Sequence, residues 1–228
     1  MNFLELCQAA ARESRTVDSG RPLSVVGQVG REAKFVHWVR EAWREIQIER
    51  NAWRFMRRYY SAGLLPDTMA YTPASLAITD LNRWIDEKID RVTIYKTSLG
   101  AADESEIRPL DYADFRATYL RGVHDANRPM HWSVSPDNEL MIGPKPDAAY
   151  TVQGPYQRTA QVLVANADTP ICPTDYHMVI VWRALKMMSD HDEALAVGGT
   201  ADFRARTLMN LMETTQLPQL RMAVGPLA

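Results

Sequence analysis

The side chains of this 228-residue chain that could do chemistry fall in a few places. Asp190, His191, Asp192 and Glu193 crowd together, with Asp175 and His177 one helix earlier, and these are the donor types of a metal or acid–base site. Their spacing argues otherwise. His177 and His191 do not form an i, i+4 pair, and consecutive charged residues at a helix end point in different directions, so a solvated helix terminus is expected. Gly27 and Gly30 make a G-x-x-G pair without a preceding strand, a third glycine or a GK[ST] sequence, which does not build a phosphate cradle. Cys7 and Cys172 stand far apart with no CxxC partner and no adjacent base. That argues against a disulfide framework, a thiolate zinc site or an activated nucleophile. No G-x-S-x-G elbow occurs. The expectation is a protein that is not an enzyme, with no catalytic residues, no cofactor and no metal.

Arg54, Arg57 and Arg58, beside Tyr59 and Tyr60, are the most suggestive charged feature. Arginines three and four apart with flanking aromatics suit phosphate contacts and base stacking. Cations at a helix C-terminus equally complement its dipole. Lys and Arg number 26 against 28 Asp and Glu, a formal net charge of -2, so no bulk attraction to nucleic acid is encoded. The cluster is therefore read as a dipole complement or protein interface, with a DNA-binding regulator or packaging factor as the alternative.

Positioning these residues requires a real core, and the composition supplies one: hydrophobic residues at 46% and charged residues at 24% belong to a folded chain. No run of eighteen apolar residues is present, which predicts no membrane-spanning helix, and the N-terminal charge order is wrong for a secretory signal. A reducing compartment suits the two cysteines. Phe3, Leu4, Cys7 and Ala11 predict an amphipathic helix over residues 3–13. Phe35, Trp38, Val39, Ala42, Trp43, Ile46, Trp53 and Met56 recur at three- and four-residue steps and predict one long helix from Arg31 to about Tyr59. Between Tyr60 and Thr169 short apolar stretches alternate with Pro, Asp, Asn and Gly, which predicts strands. Arg91–Thr97 reads as a strand with Ile107–Leu110 as its neighbour, and Asp111 as the cap of a short helix carrying Tyr112, Phe115 and Tyr119. Met130–Val134 and Leu140–Ile142 read as a hairpin on a Pro-Asp-Asn turn, followed by a strand over Tyr150–Tyr156 in which Gly154 marks a bulge. Thr174 is expected to cap a helix bearing Tyr176, Ile180, Ala184, Met187 and Met188. The Gly198-Gly199 pair is read as a break, with Thr200 capping a last helix that Pro218 ends.

The fold class is thus α+β: a helical bundle formed by N- and C-terminal helices with a β-rich insertion in the middle. The expected organisation is a helical module (1–60 and 170–214), a β-rich insertion module with a short helix (61–169) and an extended C-terminal arm (215–228). That arm keeps Leu220, Met222, Val224 and Leu227, more apolar residues than a solvated tail needs.

Taken together, NFLELCQ, VVGQVG at 25–30, FVHWVREAWREIQ with WRFM, the stretch RPMHWSVSPDNELMIGPKPDAAYTVQGPY at 128–156 and PTDYHMVIVWRALKMM resemble, in order and spacing, phage head-to-tail adaptor (connector, or neck) proteins. The resemblance implies a structural virion protein at the head–tail junction, made in the bacterial host cytoplasm. It would form a dodecameric ring under the portal protein, extend the DNA channel and offer a platform for a tail or nozzle protein. It also implies that the C-terminal arm docks on the portal, with Leu220, Met222 and Val224 as its anchors, and that Arg54, Arg57 and Arg58 face the channel, near packaged DNA, or the next subunit. No membrane partner is implied.

Overall fold

The computed structural model describes residues 1–14, 21–86, 91–191 and 195–218. These residues group into two compact units, one formed by Met1–Met56 with Ala160–Ala228 and the other by Arg57–Thr159. Helices at both ends of the chain and sheets between them give the mixed α+β fold that the sequence pattern predicts.

The first unit is helical. Helix α1 (Phe3–Glu13) starts on a capping box: the Asn2 side chain accepts from the Glu5 N–H and the Glu5 carboxylate accepts from the Asn2 N–H, which satisfies two donors that a helix start leaves open. Helix α2 (Gly30–Glu49) buries the expected stripe of Phe35, Trp38, Val39, Ala42, Trp43 and Ile46. It ends about ten residues earlier than the periodicity predicts. Trp53 folds back after a turn, donates its indole N–H to the Ile46 carbonyl at 2.8 Å and stacks on Phe55, which itself stacks on Trp43. Trp53 and Met56 keep a helical interval from Ile46, yet a reversed chain buries them equally well.

The chain re-enters this unit through Gln161. Its N–H donates to Gln47 Oε1 at 2.7 Å, and Gln47 Nε2 donates to the Gln161 carbonyl at 3.0 Å. Gln161 Oε1 accepts from the Trp43 indole and from the Ile171 N–H, while Nε2 donates to the Thr169 carbonyl. A short 3₁₀ turn at Thr174–Tyr176 then leads into α4 (His177–His191), whose Val179, Ile180, Ala184, Leu185 and Met188 join the core. No side-chain hydrogen bond from Thr174 caps this start.

Helix α5 (Leu195–Gln216) runs straight through Gly198 and Gly199. The glycines are not a break, and Thr200 lies inside the helix rather than at its cap. Gly198 is buried where a Cβ would collide with the Ser189 side chain of α4, whereas a Cβ on exposed Gly199 would meet nothing. The first glycine permits close packing of the two helices, and the second is merely tolerated.

The second unit holds two sheets. In chain order its strands are β1 (Arg57–Leu64), β2 (Ala70–Tyr71), β3 (Leu81–Trp84), β4 (Thr93–Lys96), β5 (Ser105–Glu106), β6 (Arg108–Pro109), β7 (His131–Val134), β8 (Leu140–Gly143) and β9 (Tyr150–Arg158), with α3 (Tyr112–Tyr119) after β6. One sheet has the order β1-β9-β4-β5, with β3 also on β9; the other has the order β2-β8-β7-β6. Strand β4 pairs with Ser105–Glu106 instead of with the expected 107–110 neighbour, because Arg108–Pro109 crosses to the second sheet and runs parallel to β7. The hairpin at 131–143 forms as its turn chemistry predicts, with Asn138 in the left-handed region at φ 63. Gly154 is not a bulge: the β1–β9 register runs unbroken through it, and a Cβ there would press on Val92 and Tyr60. Asp111 precedes α3 but makes no side-chain cap, and Phe115 and Tyr119 of α3 pack where a side chain at Gly143 would stand.

Tyr60, Leu64, Trp84, Ile94, Trp132, Leu140, Ile142, Tyr150, Val152 and Tyr156 form the core of this unit. Arg128 fastens its surface: the guanidinium grips the Asp103 carboxylate at 2.8–2.9 Å, also reaches the Asp103 carbonyl and the Ser105 hydroxyl, and lies over the Tyr150 ring.

Two outcomes follow from these contacts. Gly199→Ala should raise stability by about 1 kcal/mol through helix propensity, while Gly198→Ala, crowding Ser189, should lower it by about 1–3 kcal/mol, both read by thermal unfolding. His177 supplies the second. It is buried, with Nδ1 2.8 Å from the Met1 ammonium and Nε2 3.2 Å from the Cys172 carbonyl, so the neutral ring with its proton on Nε2 satisfies both partners. Burial, then the nearby positive terminus, holds its pKa below the ordinary value of 6.5. A depressed folded-state pKa means that the unfolded chain binds the proton first, so this contribution is complete above 6.5 and is lost as pH falls through the folded-state value. Urea midpoints should drop over that window, and His177→Gln should flatten the drop.

Candidate functional site

The three arginines singled out by the sequence do not share a helix face. Arg54 opens a 3₁₀ turn at Arg54–Met56, and Arg57 and Arg58 are the first two residues of β1. The helix-dipole reading of the cluster is therefore corrected: α2 ends before any of the three. On a strand, neighbouring residues point to opposite faces. Arg57 and Tyr59 stand on one face, and Arg58 and Tyr60 on the other. The register sets Arg57 opposite Gln157, with Arg83 of β3 opposite Gln157 on the far side, so two arginines flank a buried glutamine in one row. Arg58 lies opposite Tyr156, whose hydroxyl donates to Asp80 at 2.7 Å, and Asp80 also holds Arg158 at 3.2 Å. Burial, followed by the hydrogen bond to Asp80, raises the Tyr156 pKa.

Several other titratable groups are held by structural partners. Burial pushes both thiols, Cys7 and Cys172, up to about 12, so neither is a thiolate near neutral pH. The Asp103 carboxyl is held low, chiefly by the Lys96 N–H and then by Arg128. Asp190 pairs with Lys186 one turn back, His191 meets the Trp38 ring at 5.7 Å, and Asp192 and Glu193 lie outside the described residues. Among the described residues no group of three His, Cys, Asp or Glu side chains could hold a metal ion, and no helix is long and apolar enough to cross a membrane. In the cleft between α2, α4 and α5, Arg50 pairs with Glu213 at 2.8 Å and Arg183 with Glu49 at 3.2 Å. These ions pair with one another across the helices.

Surfaces stand out where chemistry does not. The loop that carries Gly27 and Gly30, both with positive φ, leaves Leu23, Val26 and Val29 exposed, although it is tied down by Asn166 Oδ1 accepting from the Val25 N–H at 2.7 Å. Neither the exposure of these residues nor β1 itself was readable from the sequence. The string Arg-Arg-Tyr-Tyr-Ser-Ala-Gly-Leu fully buries only Tyr60 and Leu64, and with the small Ala62 and Gly63 between them its alternation is too faint in residue type to mark a strand. The arm residues Leu220, Met222 and Val224 lie outside the described residues.

A family model described as SU10 adaptor protein matches residues 1–225. No curated protein matches the chain.

Proposed function

We propose, from the premise that this chain belongs to the SU10 adaptor protein family, that it is a structural phage protein which forms a ring between the portal and the tail and extends the DNA channel. The family is one of phage head-to-tail adaptors. A phage adaptor role, and with it a place among virion components, follows from membership. The ring, the portal and the tail partner are our reading. The observation that carries it is the reach of the match, which takes in both compact units rather than one. The chemistry agrees: the cysteines are buried thiols, and the best-held carboxylates are tied to backbone amides and arginines.

A ring subunit needs two different surfaces that complement each other between neighbours, and a further surface for each layer above and below. In this reading the segment 217–228 is the portal-docking arm, with Leu220, Met222 and Val224 as apolar anchors, and Arg54, Arg57 and Arg58 face the channel or the neighbouring subunit. DNA in the channel is then a neighbour held by proximity and not a sequence-specific ligand.

Electron microscopy of the purified protein mixed with the portal from the same genome should reveal an added ring layer on the portal. A folded protein that adds no layer would overturn the reading. Deleting residues 217–228 should abolish the layer and leave the unfolding transition in place; a retained layer would remove the arm from the docking scheme. The combined Arg54→Glu, Arg57→Glu, Arg58→Glu variant should impair ring formation or retention of packaged DNA, and particles of unchanged infectivity would make the cluster a local structural feature only.

A further inference from the structure

A cleft of about 240 Å³ opens in the second unit beside β7, where β6 gives way to α3. Pairing of β6 with β7 stops there: the Leu110 N–H donates to the Trp132 carbonyl at 2.8 Å, and the chain then turns into α3. Trp84, Trp132 and Tyr112 give the cleft aromatic walls, and Asp86 and Asp111 place two exposed carboxylates on it. Both carboxylates are unmatched. Among the described residues neither makes an ion pair or a hydrogen bond, and Asp111 does not cap the helix it precedes. Ser133, 3% exposed, also lines the cleft, and its buried hydroxyl has no hydrogen-bond partner. Native structures pair nearly all such groups, so this one calls for a donor or acceptor from outside.

We infer that this cleft is a socket for one arginine side chain, carried by a partner protein other than a second copy of this chain. The socket is independent of ring formation. Its volume falls short of the roughly 300–1,000 Å³ of small-molecule sites and suits a single inserted side chain. Two carboxylates repel a nucleic-acid backbone and attract a cation. Among cationic side chains, the planar guanidinium answers every feature of the site: it stacks on indole and phenol rings, offers its fork of donors to two carboxylates, and has donors to spare for a serine hydroxyl. A lysine ammonium would serve the carboxylates and leave the ring faces poorly used.

The walls stand ready for such a guest. Trp84 is fixed by donation of its indole N–H to the Asn138 carbonyl at 3.2 Å and by an edge-on contact with the Tyr60 ring at 5.3 Å, and Trp132 belongs to the core. Entry of an arginine therefore orders little of the socket, which keeps the entropy cost of binding low. Charge complementarity points to the source of the arginine. Arg12, Arg44, Arg50, Arg91, Arg183 and Arg206 already pair with carboxylates of their own subunit, whereas Asp86 and Asp111 stay unmatched, so the complementary charge comes from another protein. Arginine held between aromatic rings is a common energetic anchor of protein interfaces.

The test is a titration of the isotope-labelled full chain with N-acetyl-arginine N-methylamide, read by NMR at the indole N–H signals of Trp84 and Trp132. Both signals should shift saturably, with an affinity several-fold tighter than for the lysine analogue, and the neutral citrulline analogue of the same shape should give no saturable shift. Asp86→Asn combined with Asp111→Asn, two substitutions at exposed positions, should abolish the response to arginine and leave the unfolding transition in place. Ser133→Ala should weaken the response several-fold. No saturable shift of either indole, an equal response to the three probes, or a response that survives the double Asn variant would each overturn the socket. Indole shifts that appear on raising the protein concentration alone, and vanish in the double Asn variant, would put a second copy in the cleft and overturn the assignment to a different partner.

Discussion

The architecture depends on how the chain leaves the helical unit at Met56 and returns to it at Ala160. The return is fixed by an exchange of hydrogen bonds between the Gln161 backbone and the Gln47 side-chain amide, in the pattern of a single antiparallel backbone pair with one partner replaced by a side chain. Gln47 is buried on the inner face of α2, where an unsatisfied amide costs about 1–3 kcal/mol. The Gln161 backbone therefore specifies Gln47, while the Gln161 side chain is specified by Trp43, Ile171 and Thr169. The Trp43 indole, sharing Gln161 Oε1 with the Ile171 N–H, links this exchange to the aromatic stack of Trp43, Phe55 and Trp53 that turns the chain out of α2. Exit and return are thus held by one connected set of contacts.

That dependence explains what was legible in the sequence. Helix α1, the body of α2, α4, the 131–143 hairpin and β9 declare themselves through local pattern: periodic apolar positions, a Pro-Asp-Asn turn, β-favouring side chains. The end of α2 does not, because Trp53 and Met56 satisfy helical spacing while being buried by a reversed chain. Helix α5 was misread at Gly198-Gly199 because a glycine required for close approach to Ser189 is spelled like a glycine that ends a helix. The two-residue strands β5 and β6 fall below any periodic signal, and their assignment to different sheets is a tertiary fact. At the candidate site the residue types were legible and the geometry was not. Arg54, Arg57 and Arg58 make a helical stripe on paper and take up a turn and two opposite strand faces in space.

The perturbed pKa values have local structural causes. A catalytic group needs a perturbed pKa and access to a substrate together. Here the large upward shifts, those of Cys7, Cys172, Tyr60 and Tyr150, fall on groups buried in the two cores, and the downward ones, Asp103, Asp168 and His177, on groups satisfied by backbone or structural partners. The upward shifts come from burial in the cores, and the downward shifts of Asp103 and Asp168 come from hydrogen bonds made at the surface.

Strand β9 gives the second unit its stiffness. It pairs with β1 along one edge and with β4 and β3 in succession along the other, so a single nine-residue strand fixes the register of three others. Tyr150, Val152 and Tyr156 anchor its inner face in the core, and Gly154 gives Tyr60 and Val92 the room to close over it. A slip of one residue would turn every one of these side chains to the wrong face, so the register is strongly specified.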